Sequence, residues 1–126
     1  MTATAASRHI LFLDDDVEYG LLFEAVLKRA GHQVTVFVAA TAALAALAAN
    51  PQAYNFLVTD FHMPGMDGLE FVRAVRHLGA DLPCVVISSD QAALERASAE
   101  PAVSAVAPKP TNLHEFVALV TPGNST

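Results

Sequence analysis

Short apolar runs alternate with longer amphipathic ones along the chain. "HILFL" (9–13) is an unbroken apolar run and reads as a strand covered on both faces. "HQVTVF" (32–37) reads as a strand by its β-branched residues. "NFLVTD" (55–60), "PCVVIS" (83–88) and "VSAVA" (103–107) are predicted as three more. Between the strands the period lengthens. Over 17–30, Leu21, Leu22, Ala25 and Val26 recur at helical spacing, and Gly31 fits a C-terminal cap. "AATAALAALAAN" (39–50) is a strong helix former with Leu44 and Leu47 on its apolar face, ended by Asn50-Pro51. Over 69–78 the spacing turns Leu69, Val72, Val75 and Leu78 inward, and Gly79 closes the helix. Two further helices are predicted over 91–99 and 112–120, and "FHMPGMDG" (61–68) is a loop by its Pro and Gly content. Strand and helix alternate five times, which predicts an α/β doubly wound sheet with helices on both faces. The expected domain spans 8–121, with flexible tails at 1–7 and 122–126.

Composition narrows the function classes. The 126 residues suit one domain with its own core, and 53% of them are hydrophobic, as a globular chain requires. A net charge of −6 argues against nonspecific binding to nucleic acid or to an anionic membrane surface. Cys84 is the single cysteine, so no internal disulfide can form, and its apolar neighbours predict a buried thiol. No signal peptide is visible, and no apolar run reaches the roughly 18 residues of a membrane span, so the expected location is the cytoplasm.

In a doubly wound sheet, ligands sit outside the carboxyl ends of the strands. The polar residues predicted there are Asp14 and Asp15 after the first strand, Asp60 after the third, Ser88 and Ser89 after the fourth, and Lys109 after the fifth. Carboxylates from the first and third strands could share a cation, and oxygen-only ligands at a wet rim suit Mg²⁺. Each residue alone has a plainer reading. An Asp after a strand is commonly a helix cap or turn former, and Asp16 and Asp67 are read that way. A strand-end Ser is usually structural, and a lone Lys is usually solvated. The functional case rests on their meeting at one edge of one sheet.

The acidic pair Asp14-Asp15 after an apolar strand, then "VTDFHMPGMDG", "VVISS" and "PKP", together resemble the receiver domain of two-component response regulators over roughly residues 8–121. The resemblance implies a five-stranded parallel sheet in the order 2-1-3-4-5, the flavodoxin-like receiver fold. It implies that Asp60 accepts a phosphoryl group from a histidine kinase or histidine phosphotransfer protein. Asp15, Asp60 and the backbone carbonyl of His62 would hold Mg²⁺, with Asp14 acting through a metal-bound water. Ser88 would bond a phosphoryl oxygen, and Lys109 would pair with the phosphoryl group or with Asp60. The Lys109-Pro110 peptide would be cis. The domain would be a regulatory phosphoacceptor rather than an enzyme. The His62 side chain would neighbour the phosphoryl group; its plain reading is an exposed loop histidine.

The chain departs from the receiver pattern in two places. Receivers usually carry Tyr or Phe on the fifth strand shortly before the lysine; here Val106 stands at that switch position. Pro108, before Lys109, removes a backbone donor, which an edge strand tolerates. The short segment between Ser89 and Val103 predicts a small fourth helix. No DNA-binding helix-turn-helix fits in "TPGNST", so output is expected through contact with a downstream protein of unknown identity. Two other readings stay open. One is a pseudo-receiver that binds partners without phosphorylation. The other is a haloacid-dehalogenase-type phosphatase, because "ILFLDDDV" also fits that family's Asp-x-Asp motif, with Asp14 as nucleophile and Asp16 as general acid.

Overall fold

The computed structural model describes residues 8–109 and 112–120. Strands and helices alternate as β1 (His9–Leu13), α1 (Val17–Arg29), β2 (Gln33–Phe37), α2 (Ala40–Ala49), β3 (Phe56–Asp60), α3 (Gly68–His77), β4 (Cys84–Ser88), α4 (Gln91–Ser98), β5 (Ala105–Pro108) and α5 (Leu113–Val120). All pairings are parallel, and the sheet order is β2-β1-β3-β4-β5. The expected sheet, its order and the two helical layers are all present. No described helix is long and apolar enough to cross a membrane.

The pleat divides the core in two. Leu11 and Leu13 of β1 face one side, where Ala43 and Leu47 of α2, Val72 and Val75 of α3, and Ala97 of α4 cover them. Ile10 and Phe12 face the other side, with Phe23 and Leu27 of α1 and Phe116 and Val120 of α5. Central strands β3 and β4 are buried along their whole length, so their sequences run apolar without alternation. Each fully buried Leu or Phe contributes roughly 1.5–3 kcal/mol relative to exposure.

Three details differ from expectation. The inward stripe of α1 is Gly20, Phe23 and Leu27, while Leu21 and Leu22 are exposed. Gly20 explains the shift: a Cβ there would meet Val36 Cγ1 at 2.9 Å, so the helix sits close on β2 through a residue with no apolar signal. Leu78 is also exposed, because it is the C-cap of α3 and lies past the packed turns. Finally, β5 begins at Ala105 rather than Val103, since Val103 is tied back to Glu100 O before the strand starts.

Register aligns the strand ends. The β1–β3 pairing runs to Leu13↔Thr59, so Asp14 and Asp60 follow side by side. Asp60 pairs with Ile87, and Ser88 with Pro108, so Lys109 follows one residue past Ser88's row and its amide donates to Ser88 O.

Candidate acidic pocket at the carboxyl edge of the sheet

Local hydrogen bonding shapes each contributor. Asp14 is fully buried; its amide donates to Phe37 O, and its Oδ1 accepts the Asp16 amide at 2.9 Å. Asp16 is the N-cap of α1, accepting from the Glu18 and Tyr19 amides, as its plain reading expected. Asp15, between them, stays exposed. Asp60 is nearly buried, and the Phe61 amide after it donates to Ile87 O. Gly68 then lies against this turn: a Cβ there would meet Asp60 O at 2.7 Å, so only glycine lets α3 start here. Asp67 forms a reciprocal capping box with Glu70, the cap role read for it from the sequence.

Carboxylate oxygens of Asp14, Asp15 and Asp60 lie within 4.8 Å of one another. Lys109 reaches into them, with Nζ 2.8 Å from Asp14 Oδ2 and 3.3 Å from Asp60 Oδ1. Burial, and then Asp14, push the Asp60 carboxyl above the usual range, against the pull of Lys109. Burial opposes the charge of Lys109, yet the two carboxylates outweigh it and hold its pKa above the usual lysine value. Three carboxylates against one ammonium leave a surplus of negative charge. Asp14 Oδ2 is buried and pairs with the Lys109 ammonium. A hard divalent cation fits both this charge and the all-oxygen donor set of the three carboxylates.

Ser88 is buried, and its Oγ accepts the Asp90 amide at 3.0 Å, which leaves its own proton free to donate. Ser89 is exposed. His62 is exposed, and its Nε2 meets Asp90 Oδ2 at 3.1 Å, joining the loop after β3 to the start of α4. That bond is the main cause holding the Asp90 carboxyl below its usual value. Asp90 also caps α4 through the Ala92 amide. Val106 is partly buried against the α2–α4 layer and borders a cavity of about 200 Å³ with Phe116 and Leu119. Pro110, with its expected cis peptide, lies outside the described residues. The Cys84 thiol is buried as expected, and burial pushes its pKa up to about 11.

Two residues were missed in the sequence. Tyr19 places its ring 4.4 Å from Lys109 Nζ. Its only advance signal was an aromatic in the first helical turn after the acidic triplet. Asp90 was missed because a cap that also pairs across loops looks like any other Asp.

Fold and pocket together define a doubly wound α/β domain whose carboxyl edge gathers three carboxylates and a lysine. The sequence matches the family model for the response regulator receiver domain over residues 10–121, and the chain belongs to that family. It is similar to the response regulator receiver protein CpdR of Brucella abortus, with 32% identity over 87% of this chain and 91% of that one. It is also 36% identical over 81 residues to the two-component response regulator ARR14 of Arabidopsis thaliana. The chain spans about a fifth of ARR14 (21%) and of the transcriptional regulatory protein DctD of Rhizobium meliloti (18%). Among solved structures, a putative response regulator from Chloroflexus aurantiacus superposes with TM-score 0.81 at 26% identity, covering 90% of this chain and 94% of that one. The fold also matches the Vibrio cholerae chemotaxis protein CheY4, with TM-score 0.81 at 22% identity over 91% of this chain and 97% of that one. The phosphatase reading gives way here. Residues 10–121 fit another family, and Asp16 is spent capping α1.

Proposed function

We propose that this domain accepts a phosphoryl group on Asp60 from a phosphohistidine of a histidine kinase or phosphotransfer protein, and signals by protein–protein contact. The observation that carries the reading is Lys109 Nζ lying 3.3 Å from Asp60 within the three-carboxylate cluster. An Asp60 oxygen attacks phosphorus, a P–O bond forms, and the P–N bond of the donor breaks, its electron pair leaving with the imidazole. Asp14, Asp15, Asp60 and the His62 carbonyl would hold Mg²⁺, which when bound supplies charge neutralisation for the incoming anion. Lys109 stays charged at neutral pH and moves from Asp60 to a phosphoryl oxygen. The free proton of Ser88 donates to another, a contact that exists only after transfer and therefore biases the domain toward a second state. Without an aromatic at Val106, the bias starts at Ser88, whose neighbour Asp90 caps α4 and holds His62.

The direct test is intact-mass spectrometry after incubation with acetyl phosphate or with a phosphorylated histidine-kinase domain. The expected result is a Mg²⁺-dependent phosphoryl adduct that maps to the peptide containing Asp60. Absence of the adduct with both donors would move the reading to a pseudo-receiver.

A protein donor must cover the rim to bring its phosphohistidine to Asp60. Val17, Leu21 and Leu22 begin that rim on α1 and are 56%, 57% and 46% exposed. Leu21→Glu is expected to slow transfer from the kinase domain about tenfold. Labelling by acetyl phosphate should not change. Equal slowing with both donors would place the defect in the pocket and not in donor docking.

A further inference from the structure

Lys109 carries a long, flexible stem, yet its ammonium must stay within reach of Asp60 as charge moves in transfer. The two carboxylates attract it from one side. On another, the ring of Tyr19 lies 4.4 Å from Nζ, inside the range at which an aromatic face attracts a cation. That ring is itself fixed. Its centroid is 4.7 Å from Phe23, and Phe23 is fully buried against Phe12 at 5.5 Å and Phe116 at 4.6 Å. The Tyr19 hydroxyl is buried and has no hydrogen-bond partner among the described residues. The tyrosine therefore acts through its ring and not through its oxygen.

We propose that Tyr19 is a positioning residue for phosphoryl transfer, its ring face holding the Lys109 ammonium between Asp14 and Asp60. The inference rests on Asp60 being the phosphoacceptor. It adds a wall to the pocket that comes from α1, and that wall stands on the aromatic stack between α1, β1 and α5.

Three variants separate ring, shape and hydroxyl: Tyr19→Phe, Tyr19→Leu, and pentafluorophenylalanine in place of Tyr19, which keeps the shape but removes the negative face. Each is assayed for labelling rate by acetyl phosphate at saturating Mg²⁺. In that reaction the P–O bond to Asp60 forms as the donor's P–O bond breaks and acetate leaves. Two further readouts are the Mg²⁺ midpoint by NMR titration and the upfield ring-current shift of the Lys109 ε-methylene. Tyr19→Phe is expected to stay within about twofold of wild type, since only an unpaired hydroxyl is lost. Tyr19→Leu and the fluorinated ring are expected to label about threefold to tenfold more slowly. Their Mg²⁺ midpoints should not weaken, because the carboxylates are untouched; a general distortion of the pocket would weaken them. The Lys109 shift should persist in Tyr19→Phe and vanish in Tyr19→Leu.

A fluorinated ring as fast as phenylalanine overturns the proposal, because shape alone would then suffice, and this comparison stands even where Tyr19→Leu fails to fold. Full-rate labelling of a folded Tyr19→Leu overturns it too, while leaving the phosphoacceptor reading intact. A wild-type protein that shows the Lys109 shift but takes no phosphoryl group locates the failure in the phosphoacceptor reading, and the proposal falls with it.

Discussion

Asp60→Asn is expected to abolish the proposed phosphoryl adduct and at the same time to stabilise the fold at neutral pH. The first effect is chemical: an amide oxygen does not replace a carboxylate as nucleophile toward phosphorus. The second follows from the raised pKa of Asp60, caused first by burial and then by Asp14. A carboxyl whose folded pKa lies above its unfolded one binds protons more tightly when folded. Above the folded value it is ionised in both states, and its charge weakens the fold. That penalty shrinks as pH falls through the folded value and is gone below the unfolded value near 3.8. Removing the charge also gives up the 3.3 Å contact with Lys109, but Lys109 keeps Asp14 at 2.8 Å. The net gain expected at pH 7 is on the order of 1 kcal/mol, or roughly 3–6 °C in Tm. The gain should fade as melts are repeated toward pH 4. An adduct that survives the substitution would move the acceptor elsewhere, with Asp14→Asn the next variant to measure. A lower Tm at pH 7 would mean that the lysine contact outweighs the crowding of carboxylates.

Phe23→Ala is expected to cost about 3–5 kcal/mol, the range for deleting a fully buried aromatic. Phe23 is 0% exposed and joins three elements: Phe12 of β1, Tyr19 of its own helix and Phe116 of α5. Little can collapse into the space, because β1 is pinned between β2 and β3. Domains of this size are stable by about 5–15 kcal/mol in total, so the variant should populate unfolded chain under mild conditions. Urea melts should show a much lower midpoint with an unchanged slope. A loss below about 1 kcal/mol would mean that the α1–α5 layer repacks freely and does not form a fixed stack.

How much of this was legible depended on which signals reach the sequence. Strand ends were legible because β1, β3 and β4 are apolar runs stopped by Asp14, Asp60 and Ser88, and a parallel sheet has to present such ends on one edge. The caps at Asp16 and Asp67 were legible because capping is local. The face of α1 was not. Its inward stripe holds a glycine, and the leucines beside it point to solvent, where a binding surface can keep them apolar. The start of β5 was displaced by two residues because the turn bond from Val103 to Glu100 O competes with β-branched propensity. Tyr19 and Asp90 were hidden because their roles depend on residues 90 and 28 positions away, Lys109 and His62.

Pro108 has a consequence beyond the pocket it precedes. The Lys109 amide bonds inward to Ser88 O, so by strand alternation the proline nitrogen faces outward, along the free side of β5. A strand from another molecule that docked there would find no donor at that rung, on an edge only four residues long. This margin of the sheet therefore resists templated growth by strand addition, the route by which exposed edges nucleate aggregates.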